Sequence, residues 1–194
     1  MQRAARIGAW RGKALPYDAE VEYLESTGTQ WIVLPYNSSE YSTKLKTVIE
    51  YQLTRTDRRQ LSGSNSSYVE HCSISGNVGN STIPADLNKH TLVMNGYGTP
   101  RTTFDGVELA FSGFVRSTDL SYQFTIGNLK TDSVSGRCYW KLYAVKVENN
   151  AGKLITDLIP VRVGTVGYFY DRVSGQLFGN SGTGAFVIGP DKTT

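Results

Sequence analysis

The sequence predicts an all-β chain folded as two packed antiparallel sheets, and three observations lead there. Apolar and polar residues alternate over short stretches, as strands with one buried face require. Turn signals recur about every 8–12 residues, the spacing of a β-sandwich. A helical apolar period persists nowhere beyond a turn or two. The 194 residues, 20 of them glycine, suffice for one well-buried β domain.

The body is expected to begin near Pro16. Val21 and Tyr23 alternate with Glu20 and Glu22, the chain breaks at Ser26-Thr27-Gly28, and it resumes from Trp31 to Leu34. Pro35 and the run Asn37-Ser38-Ser39 read as a loop. In K-L-K-T-V-I-E-Y-Q-L-T, Leu45, Thr47, Ile49, Tyr51 and Leu53 face one way while Lys44, Lys46, Glu50 and Gln52 face the other. That is a strand with one wet face, broken only by Val48. Residues 54–65 read as a solvated loop, residues 68–74 as a strand bearing His71 and Cys72, and 76–84 as a further loop.

His90, Leu92 and Met94 alternate with Thr91 and Val93 before Asn95-Gly96 turns the chain. Phe104-Asp105-Gly106-Val107 is the strongest hairpin signal, because Asp-Gly supplies the positive-φ residues of a tight turn. Tyr122, Phe124 and Ile126 share one side of a strand that Gly127-Asn128 stops. Next, Trp140, Leu142 and Ala144 are expected on one face, with Tyr143, Val145 and Val147 on the other. Two apolar faces suggest a central strand covered on both sides. Turns at 148–152 and about Asp171 to Gly175 follow, and A-F-V-I supplies a last short strand. The expected core holds Leu45, Ile49, Tyr51, Phe124, Ile126, Trp140, Leu142, Val145 and Val147.

The net charge of +3 is unevenly placed. Arg3, Arg6, Arg11 and Lys13 carry the first 13 residues; outside them 16 basic residues stand against 17 acidic ones, a net of −1. The body therefore lacks the basic face of a nucleic-acid binder. No stretch approaches the roughly 18–20 apolar residues of a membrane span. Residues 1–18 read as a basic arm and 19–194 as the sandwich. The arm lacks the apolar run of a secretory signal, so synthesis as a soluble cytosolic chain is expected. Ile7 and Trp10 suit an anchor to a partner, against the plainer reading of a solvated tail.

Candidate chemistry is sparse. Cys72 and Cys138 lie far apart and read as free, mostly buried thiols. His71 and His90 match no metal-ligand spacing and read as structural. Asp57, Asn65, Asp105 and Asp132 could supply calcium ligands, but no spacing gathers them, and no metal or cofactor is expected. Glycoside hydrolysis needs a pair of carboxylates. Glu20, Glu22 and Glu25 are dense enough, yet they read as the wet positions of a strand, and catalysis is not expected. Tyr36, Tyr41, Tyr68 and Tyr97, in or beside polar loops, are the candidate sugar-stacking rings.

The motifs N-K-H-T-L-V-M-N-G, F-D-G-V-E-L, F-T-I-G-N and G-R-C-Y-W-K-L-Y-A-V-K-V occur in this order. Together they resemble the concanavalin A-like lectin/glucanase superfamily in its laminin G-like form. The resemblance implies a jelly-roll sandwich. The opening Y-L-E-S-T-G-T-Q-W-I and the tail from D-L-I-P-V-R-V to G-T-G-A-F look like domains of bacteriophage structural proteins and gut-bacterial surface proteins. In the glucanase branch the carboxylates sit as Glu-x-Asp-x-x-Glu, and no Glu here has Asp two residues later. The resemblance thus implies a non-catalytic module of a virion, such as a head fibre, decoration or tail component. It would be held to other virion proteins by Arg3, Arg6, Ile7, Trp10 and Arg11, as a homo-oligomer with a trimer favoured, and a glycan is its candidate ligand. The alternatives are a lectin-like domain at a bacterial cell surface or, further off, a glycoside hydrolase.

Overall fold

The structure is a computed structural model that describes residues 14–56, 60–63, 71–73, 77–78, 81–82, 86–109, 123–128 and 138–193. In chain order its strands are β1 (Ala19–Glu20), β2 (Leu24–Thr27) and β3 (Ile32–Asn37), then helix α1 (Ser38–Lys44) and β4 (Leu45–Leu53). After these come β5 (Gln60–Gly63), β6 (His71–Ser73), β7 (Asn77–Val78), β8 (Ser81–Thr82) and β9 (Lys89–Asn95). The hairpin β10 (Thr102–Phe104) and β11 (Val107–Glu108) precedes β12 (Gln123–Ile126) and the long β13 (Tyr139–Asn149). Last are β14 (Leu154–Val163), β15 (Val166–Asp171), β16 (Leu177–Phe178) and β17 (Val187–Ile188).

The strands form two antiparallel sheets, an all-β sandwich as predicted. The large sheet runs β11-β10-β9-β4-β13-β14-β15-β16, with β1 on β14 and β17 on β2, which itself pairs with β13. The smaller sheet runs β3-β12-β5-β6, and β7 and β8 form a separate ribbon. β13 is the axis: β4 lies along one edge, while β2 and β14 divide the other. No helix among the described residues is long and apolar enough to cross a membrane.

The core lies between the sheets. All nine residues expected there are buried, with Ile49, Tyr51, Ile126, Trp140, Leu142 and Val145 sealed completely. Ile32 and Leu34 of β3, Phe124 of β12 and Leu61 of β5 meet them from the smaller sheet. Tyr41 stacks on Phe124 at 4.0 Å between centroids, and its hydroxyl donates to Met94 Sδ of the large sheet. The I-G-N turn is set by a close approach. Gly127 has φ +93°, and a Cβ there would collide with the indole of Trp140.

The Asp-Gly hairpin forms as expected, with Asp105 at φ 49° and Gly106 at φ 80°, the two positive values of a type I′ turn. The opening and tail segments meet in space: β17 pairs with β2, and Ser181 and Thr183 donate their amides to the carbonyls of Trp31 and Thr29.

Residues 54–65 and 76–84 are not all loop, since the first holds β5 with Leu61 sealed in the core and the second holds β7 and β8. Two further expectations need correction. The stretch from Pro35 to Ser39 is not a loop, since β3 runs to Asn37 and α1 follows. Pro35 is tolerated because β3 lies at the edge of its sheet. Asn37 caps α1: its side chain accepts from the Glu40 amide, and the Glu40 carboxylate accepts from the Asn37 amide. The second correction concerns β13. Leu142 pairs with Tyr51 and Ala144 with Glu50, so Tyr143 is the extra residue of a bulge. The bulge switches the alternation, and Trp140, Leu142, Val145 and Val147 all face one core. Tyr143 and Ala144 are only part-buried, and both line a groove on the other face of the sheet.

Candidate functional site

The outer face of the large sheet is built from the polar positions of β4, β9 and β13. The β13 bulge places Tyr143 there, and its hydroxyl donates to Gln52 Oε1 at 2.7 Å. The Tyr23 and Tyr143 rings meet edge to face at 5.7 Å. Lys141 Nζ stands 4.4 Å from the centre of the Tyr23 ring, and Lys89 Nζ 4.3 Å from that of Tyr143. These are cation–π contacts that hold both amines against the sheet. Burial pushes the Tyr143 phenol above its ordinary range, against the pull of Lys141 and Lys89. Burial would lower Lys141, but its hydrogen bond to Tyr23 and the charge of Glu25 outweigh this and hold the ammonium above its usual range.

Beside these rings lies a groove of about 420 Å³. It is lined by Glu20, Glu22, Glu50, Lys89, Tyr143, Ala144, Lys146, Ile159, Arg172 and Lys192. Glu50 Oε2 is 2.9 Å from Lys89 Nζ, and Glu20 Oε2 is 3.6 Å from Lys192 Nζ. Arg172 is fixed from behind, its Nε and Nη2 donating to Asp157 Oδ2 at 3.0 and 2.7 Å. Asp157 in turn is held through its amide, which donates to the buried carboxylate of Asp171. That carboxylate also accepts from Val173 and Ser174 and so shapes the β15–β16 turn. The groove is therefore a polar surface on which donors and acceptors stand side by side.

The tyrosines singled out from sequence are placed differently. Tyr41 is 3% exposed and works as a core residue, its ring covered by Phe124, so it offers no face to a sugar. Tyr36 is half-buried, and its hydroxyl lies 2.6 Å from Thr156 Oγ1 on the opposite sheet. Burial raises that phenol above its ordinary range. Of the three described, Tyr97 alone is exposed, in the turn between β9 and β10. Tyr68 and the arm residues Arg3, Arg6, Ile7, Trp10 and Arg11 lie outside the described residues, as do Asp57, Asn65 and Asp132. Glu20 and Glu22 line the groove, and Glu25 sits opposite Lys141 in the β2–β13 register. Sequence reading misses Tyr143 and Lys89 as site residues. The wet face of β4 is the available signal, and the β13 bulge conceals which neighbours share it.

Cys138 is buried, its thiol donating to the Tyr139 carbonyl at 3.9 Å, while Cys72 lies in β6 with its side chain outside the described residues. His90 is buried between two carboxylates, Nδ1 at 2.7 Å from Asp105 and Nε2 at 2.9 Å from Asp86. No group of three or more metal-ligating side chains occurs among the described residues. Compared with known proteins, the chain matches no family model, no curated protein and no solved structure.

Proposed function

We propose that this chain is a non-catalytic recognition module of a bacteriophage particle, and that it binds glycan in the groove on the outer face of its large sheet. The observation that carries the binding reading is the groove itself. It is concave and polar, and three of its four cations are already paired with carboxylates. The virion setting rests on the look of the opening and tail segments. The non-catalytic reading rests on the sequence, in which no Glu is followed two residues later by Asp as a glucanase carboxylate set would require.

The test is a glycan array probed with the full chain, followed by calorimetry on any hit and a reducing-end assay on the same glycan. Binding without release of reducing ends is the expected result. Tyr143→Ala should weaken binding by about tenfold or more, the equivalent of roughly 1.4 kcal/mol. Reducing ends released by the wild type and lost in Glu22→Gln would replace this reading with a hydrolase.

A further inference from the structure

The charges around the groove cancel. Lys89, Lys146, Arg172 and Lys192 are its cations; Glu20, Glu22 and Glu50 line it, and Asp157 stands directly behind Arg172. Four positive groups thus meet four negative ones. Three pairs are made internally, Lys89 with Glu50, Lys192 with Glu20 and Arg172 with Asp157. Among the described residues only Glu22 and Lys146 of the groove have no ion-pair partner, one of each sign. A surface with no net charge has no field to concentrate an anionic ligand.

We infer that the groove selects an uncharged glycan over its carboxylated counterpart. The inference rests on the reading of the groove as a glycan site and adds the class of ligand. Two of the internal pairs set a cationic donor beside a carboxylate acceptor within the groove, Lys89 Nζ with Glu50 Oε2 at 2.9 Å and Lys192 Nζ with Glu20 Oε2 at 3.6 Å. Neighbouring hydroxyls of a neutral sugar can accept from the one and donate to the other without separating the pair. The carboxylate of a uronate brings only acceptors. It would face Glu20, Glu22 and Glu50, with Lys146 as the single cation not already engaged. To recruit Lys89, Arg172 or Lys192 it must break an existing pair and leave a carboxylate uncompensated.

The experiment uses the full chain and two matched sets of probes. One set is neutral oligosaccharides of glucose, galactose and mannose; the other is the corresponding oligomers of glucuronate, galacturonate and mannuronate. A neutral oligomer should bind, and its Kd should change by less than about twofold between about 0.05 M and 0.5 M salt, since screening acts on net charge. Its uronate counterpart should bind more weakly. Glu50→Gln frees Lys89 and adds one positive charge to the groove, so the variant should gain uronate affinity by several-fold, and that gain should fade with salt. Exposed pairs contribute little to stability, so this variant stays folded. Tighter uronate binding by the wild type, or no shift in Glu50→Gln, overturns the inference and leaves the glycan reading standing. Failure of both probe sets to bind overturns both.

Discussion

The Nδ1 atom of His90 lies 2.7 Å from Oδ2 of Asp105, the residue that also forms the β10–β11 turn. The other carboxylate oxygen of Asp105 accepts from the Thr91 amide at 2.8 Å, so one side chain ties the hairpin tip to β9. Asp86 takes the opposite ring nitrogen, while Phe104 and Tyr51 flank the ring.

This arrangement predicts a pH dependence. Burial alone would lower the His90 pKa, but hydrogen bonds to Asp105 and Asp86 and their charges more than reverse it, and the imidazolium is favoured. A raised folded-state pKa gives stability that is complete below the unfolded value of about 6.5 and is lost as pH rises through the folded value. For Asp86 the amide of Asn88 and the hydrogen bond to His90 hold the pKa below its usual range. For Asp105 burial works the other way but is outweighed by the Thr91 amide and His90. Those contributions are present above about pH 4 and fade as pH falls through the lowered values. Thermal melts of the wild type should fall as pH rises from about 6 into the alkaline range, where the folded-state imidazolium is lost. His90→Gln should flatten that slope. Equal slopes in the two proteins would show that the cluster does not report protonation.

Ile49 and Leu142 are fully buried in adjacent strands of the large sheet. Ile49→Ala or Leu142→Ala should each cost about 2–5 kcal/mol in urea unfolding. Losses below about 1 kcal/mol, well under the usual cost of such large-to-small changes, would place these side chains outside the packed interior.

Two glycines separate conformational strain from collision. Gly127 and Gly106 both have positive φ, but a Cβ at 127 meets the Trp140 indole while nothing lies within 4 Å of one at 106. Gly106→Ala should cost about 1–2 kcal/mol from backbone strain. Gly127→Ala should cost clearly more, with a change in Trp fluorescence. Equal costs in equilibrium unfolding would deny the contact with Trp140 a role.

Where the arm joins the body, Tyr17 packs on Tyr170 at 5.0 Å between centroids, and the Asp18 amide donates to the Arg162 carbonyl. The sheet already holds the chain at these residues, so removing residues 1–15 should leave a folded sandwich, and under the virion reading proposed above that truncated chain should no longer be incorporated. Under the same reading Trp10→Ala should reduce incorporation more than Arg6→Ala, because aromatic anchors carry more interface energy than rim charges in general. Undiminished incorporation of the truncated chain would make the arm a tail. Light scattering on the full chain tests the expected trimer.

Much of the fold is legible in the sequence because strand alternation is a local property. The side chains of β4 need only their own order to divide into Leu45, Thr47, Ile49, Tyr51 and Leu53 inward and Lys46, Glu50 and Gln52 outward. The Asp105-Gly106 turn is legible for the same reason, since positive φ is a demand on two residues alone. The capping box of α1 is also written in Asn37-Ser38-Ser39-Glu40, but its polar composition reads equally as a loop.

The groove is not legible, and the reason is pairing. Along β13, strict alternation assigns Tyr143, Val145 and Val147 to one face. Only the match of Leu142 to Tyr51 and Ala144 to Glu50 shows that Tyr143 is an inserted residue. One bulge returns Val145 and Val147 to the core and leaves Tyr143 over Gln52 and beneath Lys89. The sequence by itself determined the class of fold and the composition of the core, because apolar alternation needs no partner. The tertiary structure alone decided which polar side chains meet, because ion pairs such as Lys89 with Glu50 and Lys192 with Glu20 join residues that only the strand register brings together.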